Sequence, residues 1–439
     1  MSPRPCSRSL VVAGMLSALG GLSCFDGVGT VGAVCEVDQQ CGLDQSCDNS
    51  VCGVCGDGTI QPGELCFGAS SEENVFGEVT DLLAFDPEGD GFPLLIATVN
   101  SNCANPPMTG PPTAQGDSCW DVFALVADDD NFEAINGLDP ENKRDGRVPQ
   151  ASSGNFDGSG TSDIALAVFP NDPLVDPSQL VIAYNFGVDP VAMIEEIDIS
   201  LQVRSIHAAD MNGDGLDDLL VGGQLSSSLA LYIAQPGVGF EAERLLVTLP
   251  APRPAPPVDM DNDGDLDVVL ISELEPSVRV ELNNGAGMLT PQPRLMIESP
   301  LVPRDVATAD FDRDGNVDVV VFISAPFNQT EILSEVRVYR GLGDGSLELQ
   351  ATLPGGELPI SGVAADVNFD GWPDIVVADI QEDKLPVHIN RAGSFPDFVT
   401  IDVAAAPRAL MFEDFNLDDV PDLVIGNANG VVAVVPSEN

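Results

Sequence analysis

One nine-residue pattern, D-x-[DN]-x-D-G-x-x-D, returns along this chain, each time between an apolar strand and a β-branched one, and it limits the fold more than any other feature. The clearest copy is AADMNGDGLDDLLVG, with Asp210, Asn212, Asp214, Gly215 and Asp218. It returns as Asp259, Asp261, Asp263, Gly264 and Asp267, and again as Asp310, Asp312, Asp314, Gly315 and Asp318. A further copy has Asp366, Asn368, Asp370, Gly371 and Asp374, and the last has Asp414, Asn416, Asp418 and Asp422 with Asp419 in the glycine place. Two weaker copies precede these: Asn155, Asp157, Ser159, Gly160 and Asp163, then Asp86, Glu88, Asp90 and Gly91 with Leu94 at the ninth position. The copies start about 55 residues apart on average, and a period of that size describes an array of small β units rather than separate domains.

The loop has the chemistry of a hard-cation site. Side-chain oxygens at positions one, three and five converge when the backbone curls, and glycine at six permits the positive φ that the curl needs. A carbonyl near position seven can point inward, and the ninth carboxylate closes the shell. No copy contains His or Cys, and an oxygen-only donor set suits Ca²⁺ rather than zinc or copper. Mg²⁺ keeps its waters and is disfavoured in a cage supplied mainly by protein. The full copies give about five sites, and the weaker ones, through Asn155, Asp157, Asp163, Asp86 and Asp90, would raise the number to seven. An EF-hand is excluded because its loop needs Glu at position twelve between helices. Here the twelfth residues are Val221, Leu270, Val321, Val377 and Ile425, set in buried-strand patterns such as DVVVFIS.

Each loop strand is followed by a second apolar strand and a glycine-bearing hairpin: IAQPGVGF, LNNGAGML, YRGLGDGSL, INRAGSF. Units of four strands repeated seven times describe a propeller. The expected fold is therefore all-β: a seven-bladed β-propeller of four-stranded blades with Ca-binding loops, preceded by a small disulfide-rich segment. The last unit stops after its third strand (GVVAVVPSEN), so the segment around Phe67 to Val79 is expected to add the fourth and spare the ring two raw sheet edges.

The loops AADMNGDGLDDLLVG and TADFDRDGNVDVVVF, with their NNGAG-type hairpins, resemble FG-GAP/VCBS repeats, the units of the integrin α-subunit propeller and of many bacterial surface proteins. The resemblance covers residues 67–439. It implies Ca²⁺ between the first and second strands of certain blades, on the face opposite the usual ligand face, so that the ions brace the fold rather than perform chemistry.

The N-terminal end carries Arg4 and Arg8, then the apolar run LVVAGMLSALGGL, which is too short to span a bilayer and reads as a secretory signal. Gly21-Leu22-Ser23-Cys24 resembles the lipobox of bacterial lipoproteins, although Gly21 stands where Leu is usual. Of ten Cys, Cys6 leaves with the leader, and lipidation at Cys24 leaves an even eight for disulfides. Six of them, Cys35, Cys41, Cys47, Cys52, Cys55 and Cys66, crowd into a module whose pairing is left open. Cys103 and Cys119 bracket a Pro/Gly-rich insertion, and a bridge between them would contribute about 3 kcal/mol. The organisation expected is a lipoprotein-type signal peptide at 1–23, a linker at 24–34, a Cys-rich disulfide module at 35–66 and the propeller at 67–439. This places the chain outside the cell membrane, as a bacterial surface lipoprotein or else as a secreted or periplasmic protein.

With 70 Asp+Glu against 17 Lys+Arg the net charge is −53, which excludes nucleic acid and anionic lipid headgroups in the absence of a basic patch, and the sequence shows none. The membrane is reached through a lipid anchor alone. The two histidines, His207 and His388, sit within strands, there is no G-x-S-x-G elbow, and each Cys has an oxidative fate, so no catalytic residue is expected. The function expected is a monomeric cell-surface binding or adhesion module for an extracellular protein or glycan. The alternatives are a propeller-based polysaccharide hydrolase or lyase, and a lectin-like protein using Trp120 or Trp372.

Overall fold

The structure is a computed structural model. It describes residues 24–26, 64–66, 71–75, 78–86, 94–102, 118–128, 131–136, 144–145, 147–170, 177–185, 193–237, 239–326, 334–381, 383–403, 406–415 and 421–435. The leader, most of the Cys-rich module, Cys103, and the loop residues Glu88, Asp90, Asn416, Asp418 and Asp419 lie outside these. So do the side chains of Cys24, Cys66 and Cys119. Two short strands there, Cys24–Asp26 and Glu64–Cys66, pair antiparallel.

The described chain is all-β, a β-propeller of antiparallel sheets that are in the main four-stranded. In chain order, sheet I holds Glu78–Phe85, Leu94–Asn102, Ser118–Asp128 and Asn131–Asn136, with Arg144–Asp145 beside the third strand. Sheet II is Arg147–Gly154, Asp163–Phe169, Ser178–Ala183 and Ile194–Ile199; sheet III is Val203–Ala209, Asp218–Gly223, Ser228–Tyr232 and Arg244–Val247. Sheet IV begins with Pro252–Pro254, Val268–Ser272 and Ser277–Leu282 and splits its outer edge between Thr290–Pro291 and Leu295–Met296. Sheet V is Val302–Ala309, Asp318–Ser324, Ser334–Gly341 and Leu347–Pro354; sheet VI is Pro359–Ala365, Asp374–Asp379, Lys384–Ile389 and Asp397–Asp402. Sheet VII takes Pro407–Glu413, Asp422–Asn427 and Val431–Val435 from the C-terminal end and Ser71–Asn74 from far upstream. Side chains are described for most strand residues of sheets II to VII; in sheet I they are described mainly in the two inner strands.

The fourth strand of sheet VII is the closing strand that the sequence led us to expect. Ser71 pairs with Val434 and Asn74 with Val431.

The burial pattern explains the composition of each strand. Second strands such as Asp318–Ser324 are buried along their whole length because neighbouring sheets cover both faces, so they read as unbroken β-branched runs rather than alternating ones. Outer strands such as Leu347–Pro354 alternate toward solvent. The core is divided into apolar clusters, each between two adjacent sheets. One cluster joins Phe156, Leu180 and Tyr184 of sheet II to Ile206 and Val221 of sheet III. Another joins Phe311, Phe322 and Val338 of sheet V to Ile375 and Val377 of sheet VI.

The innermost strands carry a recurring bulge. Their register shifts between Val79 and Asp81, Val203 and Ser205, Pro303 and Asp305, Pro359 and Ser361, and Pro407 and Ala409. Thr80, Arg204, Arg304, Ile360 and Arg408 are the extra residues, and a bulge of this kind redirects the side chains around it.

Candidate metal centre: the acidic loops

Four full copies, 210–218, 259–267, 310–318 and 366–374, are described throughout, and each is curled by its own acids. The position-one carboxylate accepts the amide of the glycine at six: Asp210 from Gly215 at 2.8 Å, Asp259 from Gly264 at 3.0 Å, Asp310 from Gly315 at 3.0 Å, Asp366 from Gly371 at 2.6 Å. The position-three oxygen accepts the amide of position five, as Asn212 does from Asp214 at 2.9 Å and Asp312 from Asp314 at 3.1 Å. Position five accepts from position seven, as Asp370 does from Trp372 at 2.9 Å. The glycines take the left-handed backbone the sequence implied, with φ of 89° at Gly215 and 85° at Gly371. A second left-handed residue stands at position four: Gly213, Asn262, Arg313 and Phe369, with φ between 54° and 74°. No residue type marks it, so it leaves no trace in the sequence.

Position nine does more than close a shell. Asp218, Asp267, Asp318 and Asp374 are fully buried, and both oxygens of each accept backbone amides. Asp218 takes Met211 N at 3.1 Å and Ala234 N at 2.9 Å; Asp267 takes Met260 N at 2.9 Å and Asn283 N at 2.7 Å. One amide belongs to the loop and the other to the end of the third strand or the residues just past it, so the ninth Asp pins the loop to its sheet. Burial pushes Asp218, Asp267 and Asp318 up to about 6 and Asp374 to about 8, with the amide bonds opposing and neighbouring carboxylates adding to the rise.

The donor set fits a hard divalent cation. In one loop oxygens of Asp259, Asp261 and Asp267, and in another those of Asp310, Asp312 and Asp314, come within 4.8 Å of one another. Asp259 Oδ1 is buried and has no hydrogen-bond partner. A carboxylate oxygen in that condition needs a cation or water. Twelfth-position residues Val221, Leu270, Val321 and Val377 are buried in second strands, so the helix-flanked alternative does not apply.

The FG-GAP-like repeat family matches residues 259–321 and 323–377, the stretch that holds three of these loops. Residues 259–377 of this β-propeller carry FG-GAP-like repeats. Among solved structures it is similar to BBS1N, crystallised in complex with ARL6DN. In a mercury-soaked crystal the TM-score is 0.52 at 12% identity, over 83% of this chain and 94% of that one. In a lead-soaked crystal it is 0.51 at 12% identity, with the same coverage. That likeness concerns the fold alone. A search of curated proteins found no match.

The acidic loops are not equivalent. In the weaker copy, Asn185 reaches in from just past the third strand, donating to Asp157 at 3.4 Å while its oxygen accepts from Ser159 at 3.2 Å and from Thr161. An amide thus does by hydrogen bonding what a cation would do elsewhere. In the 310–318 loop Arg340 sits on the acids, with Nε 3.0 Å from Asp312 and Nη2 on Asp314. The corresponding third-strand residues Ile233, Leu282 and Ile389 carry no charge. Asp414 and Asp422 flank the last loop, whose middle lies outside the described residues, and Asp422 holds Phe415 N at 3.2 Å. In the first copy Asp86 and Leu94 alone are described.

The repeats also lace neighbouring loops together. Asn283 Nδ2 donates to Met211 O of the preceding sheet's loop at 2.8 Å, and Asn390 Nδ2 to Phe311 O at 2.8 Å. Trp372, at position seven of its own loop, lies under the Arg313 guanidinium of the preceding loop, 4.6 Å from its ring. This tryptophan is thus a loop residue that stacks on the neighbouring loop. His207 and His388 are structural in their surroundings: each is buried, with Nε2 against a carbonyl, Pro254 O at 3.0 Å and Pro354 O at 2.8 Å.

Proposed function

We propose that this chain is an exported, lipid-anchored, calcium-braced propeller of seven four-stranded blades that acts as a binding or adhesion module at the cell surface. The observation that carries the calcium reading is the orphaned Asp259 Oδ1 in a cradle of convergent oxygens. Ca²⁺ there would be held by Asp259, Asp261 and Asp267, with Asp263 beside them. The other full loops would use Asp210, Asn212, Asp214 and Asp218; Asp310, Asp312, Asp314 and Asp318; Asp366, Asn368, Asp370 and Asp374; and Asp414, Asn416, Asp418 and Asp422. The ion would neutralise acids that otherwise repel, so its role is structural.

The seven-fold ring is supported by contacts between innermost strands. That of sheet I touches those of sheets VII and II, II touches III, III touches IV, V touches VI and VI touches VII, while between IV and V the second strand of IV, Val268–Ser272, meets the innermost strand of V. The export reading rests on the leader, Cys24 and the cysteine parity.

The test is thermal unfolding of the exported protein. Chelation should lower the midpoint strongly, and millimolar Ca²⁺, but not Mg²⁺, should restore it, since extracellular modules bind at about 10⁻⁴–10⁻³ M. An unchanged melting curve after chelation refutes the calcium reading. Mass at the N-terminus of the processed protein decides between a diacylated Cys24 and release.

A further inference from the structure

Aligned on the first loop residue, the repeats place Thr80, Pro149, Arg204, Arg253, Arg304, Ile360 and Arg408 at one position, six residues upstream. Four of the chain's 17 basic residues therefore share a single register position. The sequence shows no basic patch because these arginines are about 50 residues apart; the propeller brings three of them, from the consecutive sheets III, IV and V, onto one arc. The arc lies where the innermost strands begin, on the face opposite the acidic loops.

We propose that this mouth of the propeller is a docking site for a carboxylate-bearing segment of a partner polypeptide. It rests on the reading of the chain as a binding module and names the place and the chemistry of binding. The arc already receives one carboxylate. Glu273, on the turn that follows Val268–Ser272, lies between two guanidiniums, with one oxygen on Arg204 Nη2 and the other 3.3 Å from Arg304 Nη1. Arg304 is fixed from behind by Ser324 Oγ at 2.9 Å and Ala325 O at 3.2 Å. Arg253 is fixed by Arg304 O at 2.6 Å and by Asp305 at 3.1 Å. Arg204 is less engaged. Its Nε and Nη1 have no partner among the described residues, and its side chain keeps 23% of its surface open. A guanidinium oriented on one edge and open on the other is suited to a second carboxylate.

The surroundings favour a polypeptide over an acidic glycan. Leu225 and Leu274 occupy the turns of sheets III and IV on this same edge and are 71% and 63% exposed. Among the described residues no aromatic side chain is among the exposed large hydrophobics, so the flat surfaces on which sugars stack are missing, while aliphatic side chains flanking an acid would find partners. The net charge of −53 repels acidic molecules at long range, so recognition here is local, through paired guanidinium bonds, and discriminates against acids that cannot reach the arc.

The test uses the Ca²⁺-supplemented protein and fluorescence anisotropy with a fluorescein-labelled hexapeptide of alternating Leu and Glu. We expect binding that weakens at least tenfold when Gln replaces Glu in the peptide, and at least tenfold in the Arg204→Gln/Arg253→Gln variant, judged at an unchanged melting temperature. The Arg204→Gln single variant provides the same comparison if the double variant unfolds. Glu273→Gln, which removes the resident carboxylate, should bind severalfold more tightly. Equal binding of the Gln peptide, equal binding by the arginine variants, no binding by either the wild type or Glu273→Gln, or arginine-dependent binding of an oligo-uronate in place of the peptide would each overturn the proposal. Cross-linking at the cell surface separates this site from the broader reading. Capture of a neighbour by the wild type but not by the arginine variant supports both; equal capture by both overturns the site and keeps the module; no capture by the wild type removes the module itself.

Discussion

Arg340 shows how one side chain can set a loop apart from its copies. Its guanidinium lies on Asp312 and Asp314, two of the residues a cation would use, and the Asn316 backbone amide, with Arg340 second, holds Asp314 below the usual carboxylate range. If Ca²⁺ enters that loop, the guanidinium must give way. Replacing Arg340 with Gln should therefore raise the affinity of one site, by roughly three- to tenfold given the modest strength of exposed ion pairs, and leave the other sites alone. A calcium titration by calorimetry that shows one class of sites shifting, and the rest fixed, is the expected result.

The histidines allow a second prediction at this scale. Burial holds His207 and His388 down to about 4, against about 6.5 in an unfolded chain. The folded state thus binds a proton more weakly than the unfolded one. The stability of the neutral ring is complete above pH 6.5 and is lost as pH falls from 6.5 toward 4, by up to about 3 kcal/mol per histidine. His388→Gln, which keeps a donor for Pro354 O, should flatten that part of the pH profile. Chemical denaturation of both proteins at pH 7 and pH 5 checks it: the wild type should lose more on acidification than the variant.

At the scale of the loop and its sheet, the acidic repeat is as much a folding device as a binding site. The position-nine Asp ties loop to third strand, and where the third strand ends in Asn the tie extends to the next sheet. Asn390 is fully buried, donating to Phe311 O and to Pro373 O while its oxygen takes Gly393 N at 2.9 Å. Asn390→Ala would leave two buried carbonyls and an amide without partners, at a cost of about 2–4 kcal/mol. Urea unfolding should show this as a lowered midpoint, with the 366–374 and 310–318 loops gaining hydrogen exchange together.

Much of this was legible in the sequence, for a physical reason. The curl of the loop needs particular side chains at fixed spacing, and a second strand covered on both faces must be apolar throughout, so both leave a pattern in one dimension. The ties that cross from sheet to sheet do not. Asn283 and Asn390 look like ordinary hairpin residues, Arg340 like any exposed cation, and the left-handed position four accepts Gly, Asn, Arg and Phe alike. The arginine arc could have been found from sequence by stacking the repeats in register rather than by scanning for a local run of charge.

For the whole molecule, the ring depends on the pairing of residues about 360 apart. Without Ser71–Asn74, the strand Val431–Val435 would present an apolar, unpaired edge. Removal of residues 1–77 should therefore yield a protein that self-associates through that edge, seen as concentration-dependent oligomers by sedimentation, while removal of 1–66 should not. Around the ring, polar ties repeat at the innermost strands: Asp81 takes Ala151 N at 2.9 Å, Gln150 takes Ile206 N at 3.1 Å, and Ser361 donates to Asp305 at 2.7 Å. At these three junctions the sheets are thus fastened near the axis as well as through the apolar clusters between them.

The closing pair also has a direction. Ser71 faces Val434 and Asn74 faces Val431, so the chain arriving at Ser71 and the chain leaving Val434 emerge at the same end of the ladder. In a protein tethered at its N-terminal end, a load on the C-terminal end would separate this pair one rung at a time, instead of shearing all rungs together. Under such a load the joint that completes the ring would open by unzipping, and load carried through a partner docked on the blades would bypass the pulled C-terminal end.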